Sequence, residues 1–156
     1  MPAAGRSDAV AMLIRRLVAG DRELARTTFA MMTDVFEERG RPLPDDYVDA
    51  LLARADFWAL AALEDDEPVG GITAHVLPMT RSASRELFVY DVAVREDRQR
   101  RGVGRAMLVE LCAQAGRAGI ESVFVAVADE DVHAMDFYRA VGGAESPVTM
   151  FSFDAG

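Results

Sequence analysis

Glycines and arginines are concentrated in one short stretch of the chain, Gln99 to Ala106, which reads Gln-Arg-Arg-Gly-Val-Gly-Arg-Ala. It lies between an apolar run, residues 87–94, and an amphipathic run that continues to Ala115, an order that predicts a strand, a short loop and a helix. A helix that begins in such a loop leaves backbone N–H groups unpaired, and the helix dipole adds partial positive charge at the same place. The stretch therefore predicts a site for an anion, most simply a phosphate.

The residue types in this loop agree with phosphate binding. Glycine lets the backbone approach a ligand closely, and two glycines stand at Gly102 and Gly104. Fixed positive charge comes from three arginines, Arg100, Arg101 and Arg105. The alternative is a tight strand-to-helix turn with solvated arginines. The pattern is not a mononucleotide P-loop, because no lysine follows it, and Met107 stands where a dinucleotide fingerprint has glycine.

An acidic residue interrupts the most apolar strand of the chain. Asp91 lies within the run 87–94, where a buried carboxylate is unfavourable unless it is paired or used in chemistry. Two interpretations stay open: a base or amine-binding group, and a structural acid that accepts backbone N–H bonds at a bulge. Tyr90, its neighbour, points to the other face in a regular strand, where it would pack. Glu86 is a more remote candidate base at the entrance of the strand, or a solvated charge.

Composition and charge limit the partners. The chain has 156 residues, 51% of them hydrophobic, which fits one globular domain spanning residues 1–156. The net charge of −9 disfavours nucleic acid and suits a cationic ligand better. No apolar run is long enough to span a membrane, and Met1 to Asp8 do not resemble a signal peptide, so we expect a cytoplasmic protein without a membrane partner.

Cysteine and histidine usage argues against a metal and against a covalent intermediate. Cys112 is the only cysteine, and we place it on the apolar face of the helix that begins at Val103, where it would pack in the core. His75 and His133 have no Cys or carboxylate at metal-ligand spacing, so we predict no metal site.

The apolar patterns alternate between strand and helix periods and predict one α/β domain around a mixed sheet. Six strands are predicted, at Ala11–Val18, Phe57–Leu63, Val69–Leu77, Leu87–Val94, Ser122–Ala128 and Val148–Phe153. Four helices are predicted: one capped by Asp21 and ending near Glu38, a short one capped by Asp45 or Asp46, one over Val103–Ala115, and one capped by Asp131. The strand Leu87–Val94 is apolar on both faces, which predicts a central position with cover on both sides.

Two motifs in this order resemble the GNAT superfamily of N-acetyltransferases. The first is the loop from Gln99 after a strand that ends Asp-Val-Ala-Val, and the second is Ala134 to Gly143, which fits the pattern A-x-x-F-Y-x-x-x-G. A narrower resemblance, from about Pro44 onward, is to the type I aminoglycoside 3-N-acetyltransferases, of which gentamicin is a substrate. It is carried by Phe57 to Ala62, by Arg85 to Val94 and by the ending Met150 to Asp154.

The resemblance implies acetyl-CoA as cosubstrate and assigns residues to it. The fold would be a single domain with a mixed sheet, four flanking helices and central strands that splay apart. The pyrophosphate would bind the loop amides, and a backbone N–H near Val92 would hold the acetyl carbonyl. The implied cofactor residues are Val92, Ala93, Val94, Gln99, Arg100, Arg101, Gly102, Val103, Gly104, Arg105 and Ala106. Asp91 is the implied base or amine-positioning group and Tyr138 the acid for the leaving thiolate; Tyr138 packed beside Phe137 is the alternative.

The implied acceptor is a cationic aminoglycoside amine, acetylated by direct transfer in a ternary complex. The proposed substrate contacts are Asp46, Tyr90, Asp91, Asp129, Asp131 and Asp154, with Asp45 and Glu130 as further acidic candidates. Asp46 and Asp131 are alternatively helix caps, and the others solvated charges. Two rival functions stay open: a GNAT enzyme for another amine (a polyamine, small metabolite or protein N-terminus), and a non-catalytic acyl-CoA sensor. A homodimer through the apolar ending is a further expectation.

Overall fold

The computed structural model describes residues 11–156, so the stretch Met1–Asp8, for which no signal peptide is predicted, lies outside the described residues. Its contacts divide the chain into two compact units, one ending at Val125 and the other from Ala126 to Gly156. The helices are α1 (Arg22–Val35), α2 (Asp45–Leu52) and α3 (Val103–Arg117) in the first unit and α4 (Val132–Ala140) in the second.

The first unit is built on one sheet. Its strands are β1 (Met12–Arg16), β2 (Phe57–Glu64), β3 (Glu67–Pro78), β4 (Arg85–Val94) and β5 (Ser122–Val125), in the spatial order β1-β2-β3-β4-β5. The first four pair antiparallel, and β5 pairs parallel to β4 after the α3 crossover. The sheet is therefore mixed with β4 inside it, which confirms the predicted α/β class.

Helices cover both faces of this sheet. One core cluster joins α1 and α2 to β2, and the other joins α3 to β2, β3 and β4. Two adjacent glycines of β3 allow the close approach on each side. A Cβ at Gly70 would lie 2.8 Å from the Cε of Met107 in α3, and a Cβ at Gly71 would lie 2.5 Å from the Sδ of Met32 in α1. A side chain at either glycine would force the methionine side chain that packs against it to move.

The pairing of β3 with β4 contains a β-bulge. Thr73 pairs with Asp91 and Ala74 pairs with Val89, so Tyr90 is an extra residue on β4. A bulge breaks the strict alternation of side chains between the two faces of a strand. The prediction that Tyr90 would face away from Asp91 assumed a regular strand and is wrong at this position.

The packing of β4 shows how the bulge redirects its side chains. Leu87 and Val89 are buried in the α3-side core, and the next residue of β4 that packs against that core is Val92, three positions on. The two intervening residues, Tyr90 and Asp91, therefore both lie on the face of the sheet that carries α1 and α2. The predicted cover on both sides of this strand is incomplete, since Tyr90 is 64% exposed.

The second unit contains α4 and an extended ending. The glycines after α4 complete a Schellman cap: the N–H of Gly143 donates to the carbonyl of Tyr138, and that of Gly142, at φ +95°, donates to the carbonyl of Arg139. The predicted last strand, Val148–Phe153, is wrong, because these residues form no strand and their large apolar side chains are exposed. β-forming residue types adopt a strand only where a partner pairs with them.

Three predicted acidic helix caps have different outcomes. Asp131 caps α4, accepting a 3.0 Å bond from the N–H of Ala134. Asp21 stands before α1 but accepts bonds from the Val18 N–H and from Arg15, so it holds the incoming chain. Neither Asp45 nor Asp46 caps α2, because the helix begins at Asp45 and Pro44 holds the cap position. Proline needs no N–H partner and fixes φ, which suits it to a helix start.

Cys112 is exposed, contrary to the prediction that it packs in the core. The buried stripe of α3 runs through Val103, Met107, Leu111 and Ala115, each four residues from the last. Cys112 lies one residue, about 100°, beyond this stripe on the helix circumference.

Candidate functional site

The loop between β4 and α3 is held by its own side chains. A 3-10 turn at Glu96–Arg98 follows β4, and the side-chain amide of Gln99 donates a 3.0 Å bond back to the carbonyl of Val94. Arg98 pairs with Glu64 at 2.7 Å. Arg100 and Gly102 have positive φ, 61° and 81°, a conformation that glycine adopts without strain. These contacts fix the path of the chain into α3.

The start of α3 presents unpaired donors. The first backbone bond into the helix runs from the N–H of Ala106 to the carbonyl of Gly102 at 3.0 Å, and Gly102 offers no side-chain cap. In the described part of the chain, the N–H groups of Val103, Gly104 and Arg105 have no acceptor. The geometry has the open helix start that an anion requires.

The arginines around this helix start fall into two groups. Those before the loop are neutralised: Arg95 pairs with Asp97 and Glu67, and Arg98 pairs with Glu64 and Asp97. Those within the loop and the first helical turn are exposed and form no ion pair among residues 11–156; they are Arg100, Arg101 and Arg105. Local positive charge is therefore concentrated at the unpaired N–H groups, on a protein of net charge −9.

The strand that leads into this loop has an open edge. β5 pairs with β4 only from Glu86 to Val89 and ends at Val125, so within the described residues no strand covers that edge from Tyr90 to Val94. The three residues predicted for the pantetheine arm, Val92, Ala93 and Val94, lie on this open stretch. Except for the Val94 carbonyl, which accepts the bond from Gln99, backbone groups on that edge can bond a ligand chain.

Asp91 is a half-buried carboxylate without a hydrogen-bond partner. Among the described residues no backbone or side-chain donor bonds to it, although it stands at the bulge where a structural acid would accept such bonds. Burial raises the pKa of Asp91 above 3.8, the nearby carboxylate of Glu38 raises it further, and the charge of His75 lowers it. A partly desolvated, unpaired acid is typical of a functional site.

Tyr90 is largely exposed and is held by other aromatic rings. Its ring centroid lies 5.7 Å from that of His75 and 5.9 Å from that of Phe88, both at steep angles. His75 in turn contacts Phe57 of the α1 and α2 core at 5.5 Å. Tyr90 and Asp91, both predicted from sequence, are thus brought together on the bulge.

The second unit carries the other predicted site residues. Tyr138 is half-buried in α4, with its ring 5.0 Å from that of Phe137. Asp129 is exposed, and Asp131 is used as a cap. Asp154 is exposed and accepts a bond from the N–H of Gly156 at 3.2 Å.

The acids of α2 differ in their freedom to bind a ligand. Asp45 forms ion pairs with Arg22 and Arg26. Asp46 is exposed and bonds only the N–H of Tyr47, so its charge is not neutralised by a described cation. Asp46 therefore stays the better candidate of the pair.

Two neighbours of Asp91 were missed by sequence reasoning. Glu38 was assigned to the end of the first helix, but α1 ends at Val35 and Glu37 has a φ of +56°, which turns the chain. His75 was considered only as a metal ligand. The sequence around Glu38 and His75 does not indicate that they lie near Asp91. Their proximity to it depends on the register of β3 and β4 and on the packing of α1.

The described residues contain neither a group of potential metal ligands nor a membrane-spanning helix. Among residues 11–156, no His, Cys, Asp and Glu side chains are grouped in threes or more so as to hold a metal ion. None of the helices in that range combines the length and apolar character needed to cross a membrane.

Comparison with known proteins identifies relatives. A model of the acetyltransferase (GNAT) family matches residues 23–142. YvbK of Bacillus subtilis, an uncharacterized N-acetyltransferase, is 26% identical over 97 residues, covering 62% of this chain and 58% of that protein. The chain thus aligns with less than two thirds of that relative.

The solved structures that are similar over nearly the whole chain include two aminoglycoside acetyltransferases from uncultured soil metagenomic samples. One, meta-AAC0020 in complex with sisomicin, is 28% identical with a TM-score of 0.89, covering 93% of this chain and 97% of that one. The other, HMB0005, is 28% identical with a TM-score of 0.87, covering 94% and 99%.

Proposed function

The chain belongs to the acetyltransferase (GNAT) family, and from that premise we propose that it acetylates an aminoglycoside at the 3-amino group, using acetyl-CoA. Support for the substrate class comes from the two metagenomic relatives, whose names give that activity. The net charge of −9 agrees with a polycationic acceptor. The 3-amino position rests on the resemblance of the β2 to β4 sequence to the type I enzymes.

The observation that carries this proposal is the unpaired carboxylate of Asp91. A structural acid at the bulge would accept hydrogen bonds from the backbone, and this one accepts none among the described residues. It stands on the strand that leads directly into the loop with the open helix start. We assign it to the acceptor amine, which it orients and deprotonates, directly or through a water molecule.

The cosubstrate would bind along β4 and the loop. The N–H groups at the start of α3 and the charges of Arg100, Arg101 and Arg105 suit the pyrophosphate. The open edge of β4 suits the pantetheine arm, with the N–H of Val92 at the acetyl carbonyl, where it would stabilise the developing oxyanion.

The proposed reaction is a direct transfer. The neutral amine attacks the thioester carbonyl, the C–N bond forms as the C–S bond breaks, and the amine proton passes to Asp91. Tyr138, by its place in the F-Y motif, is proposed as the acid that protonates the departing thiolate. An acetyl-enzyme on Cys112 is disfavoured, because partial desolvation of the thiol, on an otherwise exposed residue, raises its pKa and reduces the thiolate fraction.

Further contacts to the acceptor are proposed from exposed acids. Asp46, Asp129, Asp131 and Asp154 would pair with the additional ammonium groups of an aminoglycoside, and Tyr90 would contact its rings. Exposed ion pairs of this kind each contribute about 0.2–1 kcal/mol. Because they would form equally in the bound substrate and in the transition state, they should affect KM more than kcat.

The test is CoA release from acetyl-CoA with gentamicin, spermidine, a short peptide or no acceptor, followed by mapping of the acetylated nitrogen. We expect turnover with gentamicin alone, acetylation at the 3-amino group, and initial-rate patterns of a ternary complex. Acetylation at another nitrogen would reject the regiochemistry, and turnover of another amine would reject the substrate. Tight acetyl-CoA binding without turnover of any amine would favour a sensor.

A further inference from the structure

A row of aromatic side chains crosses the α1 and α2 side of the sheet. Stacked rings of Phe88 and Phe124, 5.0 Å apart, join β4 to β5. Phe88 contacts Tyr90, and Tyr90 contacts His75 of β3. The row continues to Phe57, which is buried at 8% exposure. It therefore runs from the core outward and ends in exposed rings.

Tyr90 is the most exposed member of this row. The residue is 64% exposed, against 40% for Phe124, and its hydroxyl has no hydrogen-bond partner among the described residues. Both of its ring neighbours meet it at steep angles, 77° for His75 and 79° for Phe88. Such contacts hold the orientation of the ring while they leave much of its surface open to solvent.

The bulge places this open ring directly beside a carboxylate. In a regular strand Tyr90 and Asp91 would face opposite sides of the sheet. Because the register slips at this point, both lie on the same side, and His75 contacts the Tyr90 ring and also acts on the charge of Asp91. An aromatic surface and an acid side by side match a ligand with an apolar ring face and an attached amine.

We propose that Tyr90 selects cyclic over linear amines, by taking the C–H face of a saturated ring whose amino group is bound at Asp91. Ring carbons that carry oxygen or nitrogen have partially positive hydrogens, which are attracted to the negative face of an aromatic ring. A flexible polyamine has the charge but no ring face, and it would lose more conformational freedom on binding. This inference rests on the proposed function and names the feature of the acceptor that the site recognises.

The test compares Tyr90→Ala, Tyr90→Leu and Tyr90→Phe with two cationic acceptors, cyclic gentamicin and linear spermidine. For gentamicin, the Ala variant should raise KM about tenfold with kcat unchanged, because ring stacking contributes equally before and during the reaction. The Leu variant keeps apolar bulk without a π face and should fall between, at about threefold. The Phe variant keeps the ring and should lie within about twofold of wild type.

For spermidine, all three variants should keep KM, or the inhibition constant against gentamicin where spermidine is not turned over. The dissociation constant for CoA, from calorimetry, should also be unchanged in each variant, which excludes a general disturbance of the strand. A fall in affinity for both amines alike, or no change for gentamicin, would overturn the inference while leaving the proposed function intact.

Wild-type protein that acetylates none of the amines would instead refute the proposed function. Calorimetric binding of gentamicin to the CoA complex then decides the inference. Equal affinities of wild type and Tyr90→Ala would overturn it, and a loss of about tenfold confined to gentamicin would support it.

Discussion

Asp91→Asn separates a functional acid from a structural one. The substitution keeps the size of the side chain and removes only its charge and its ability to accept a proton. A positioned general base contributes about 10²- to 10⁴-fold to a rate, so kcat with gentamicin should fall by at least about a hundredfold. The KM for acetyl-CoA should stay within about twofold of wild type, because the proposed cosubstrate contacts are backbone groups and loop arginines.

The effect on stability has the opposite sign from that of an acid whose pKa is lowered in the fold by a hydrogen bond or an ion pair. The pKa of Asp91 is raised in the fold, so its protonated form stabilises the protein below pH 3.8, and this contribution is lost as the pH rises through the folded pKa. At pH 7 the ionised side chain opposes folding, and asparagine removes that opposition. No hydrogen bond is lost, because the carboxylate accepts none among the described residues.

The expected change in melting temperature is therefore small or positive. A neutral substitution changes stability by about 0.5 kcal/mol or less, which for a chain of this size corresponds to about 1–2 °C. Differential scanning calorimetry at pH 7 should show Asp91→Asn at or above the wild-type Tm, with any gain shrinking as the pH falls toward 3.8. A Tm lowered by several degrees together with a rate within tenfold of wild type would refute the reasoning and return Asp91 to a structural role.

Three further changes test the remaining parts of the site. Gly102→Ala forces a φ of 81° on a residue with a Cβ, so the affinity for CoA, measured by calorimetry, should fall about fivefold. The control is Gly20→Ala, which carries the same strain at φ 99° away from the loop and should leave the affinity for CoA unchanged. Glu38→Gln removes a carboxylate that raises the pKa of Asp91, so the acid limb of kcat/KM should move to lower pH, and an unmoved limb would contradict the pairing. Tyr138→Phe should lower kcat about a hundredfold with the KM for acetyl-CoA unchanged, and an unaltered kcat would remove the tyrosine as the acid.

The elements with strong periodic patterns were predictable from the sequence. The ends of the strands β2, β3 and β4 were predicted to within two residues. The helix α3 begins at Val103, as predicted, and ends at Arg117, two residues after the predicted end. The failures lie where tertiary context decides. Val148–Phe153 has strand-forming composition without a strand, and Cys112 lies one residue outside a buried stripe of four-residue spacing.

The candidate anion site was predictable for a different reason. Its chemistry depends on local features, a glycine at positive φ and three unpaired N–H groups at a helix start, and both follow from residue order within eight positions. The acceptor side depends instead on groups far apart in sequence. Glu38, His75 and Asp91 come together only through the packing of α1 and the pairing of β3 with β4, and one sequence carries no signal for that juxtaposition.

The bulge connects these two kinds of information. Sequence alone assigns Tyr90 and Asp91 to opposite faces, since a strand alternates with a period of two, and on that assignment only one of them can reach the acceptor. A single extra residue in the register cancels the alternation at this point. Asp91 is then half-buried without a hydrogen-bond partner, and the ring of Tyr90 lies on the same side of the sheet. A deletion variant without Tyr90 would restore regular pairing and keep Asp91 on the α1 and α2 side, between Val89 and Val92, but without its aromatic neighbour. Its KM for gentamicin should rise, as in Tyr90→Ala, while the loop at Gly102, which lies beyond the strand end, continues to bind CoA.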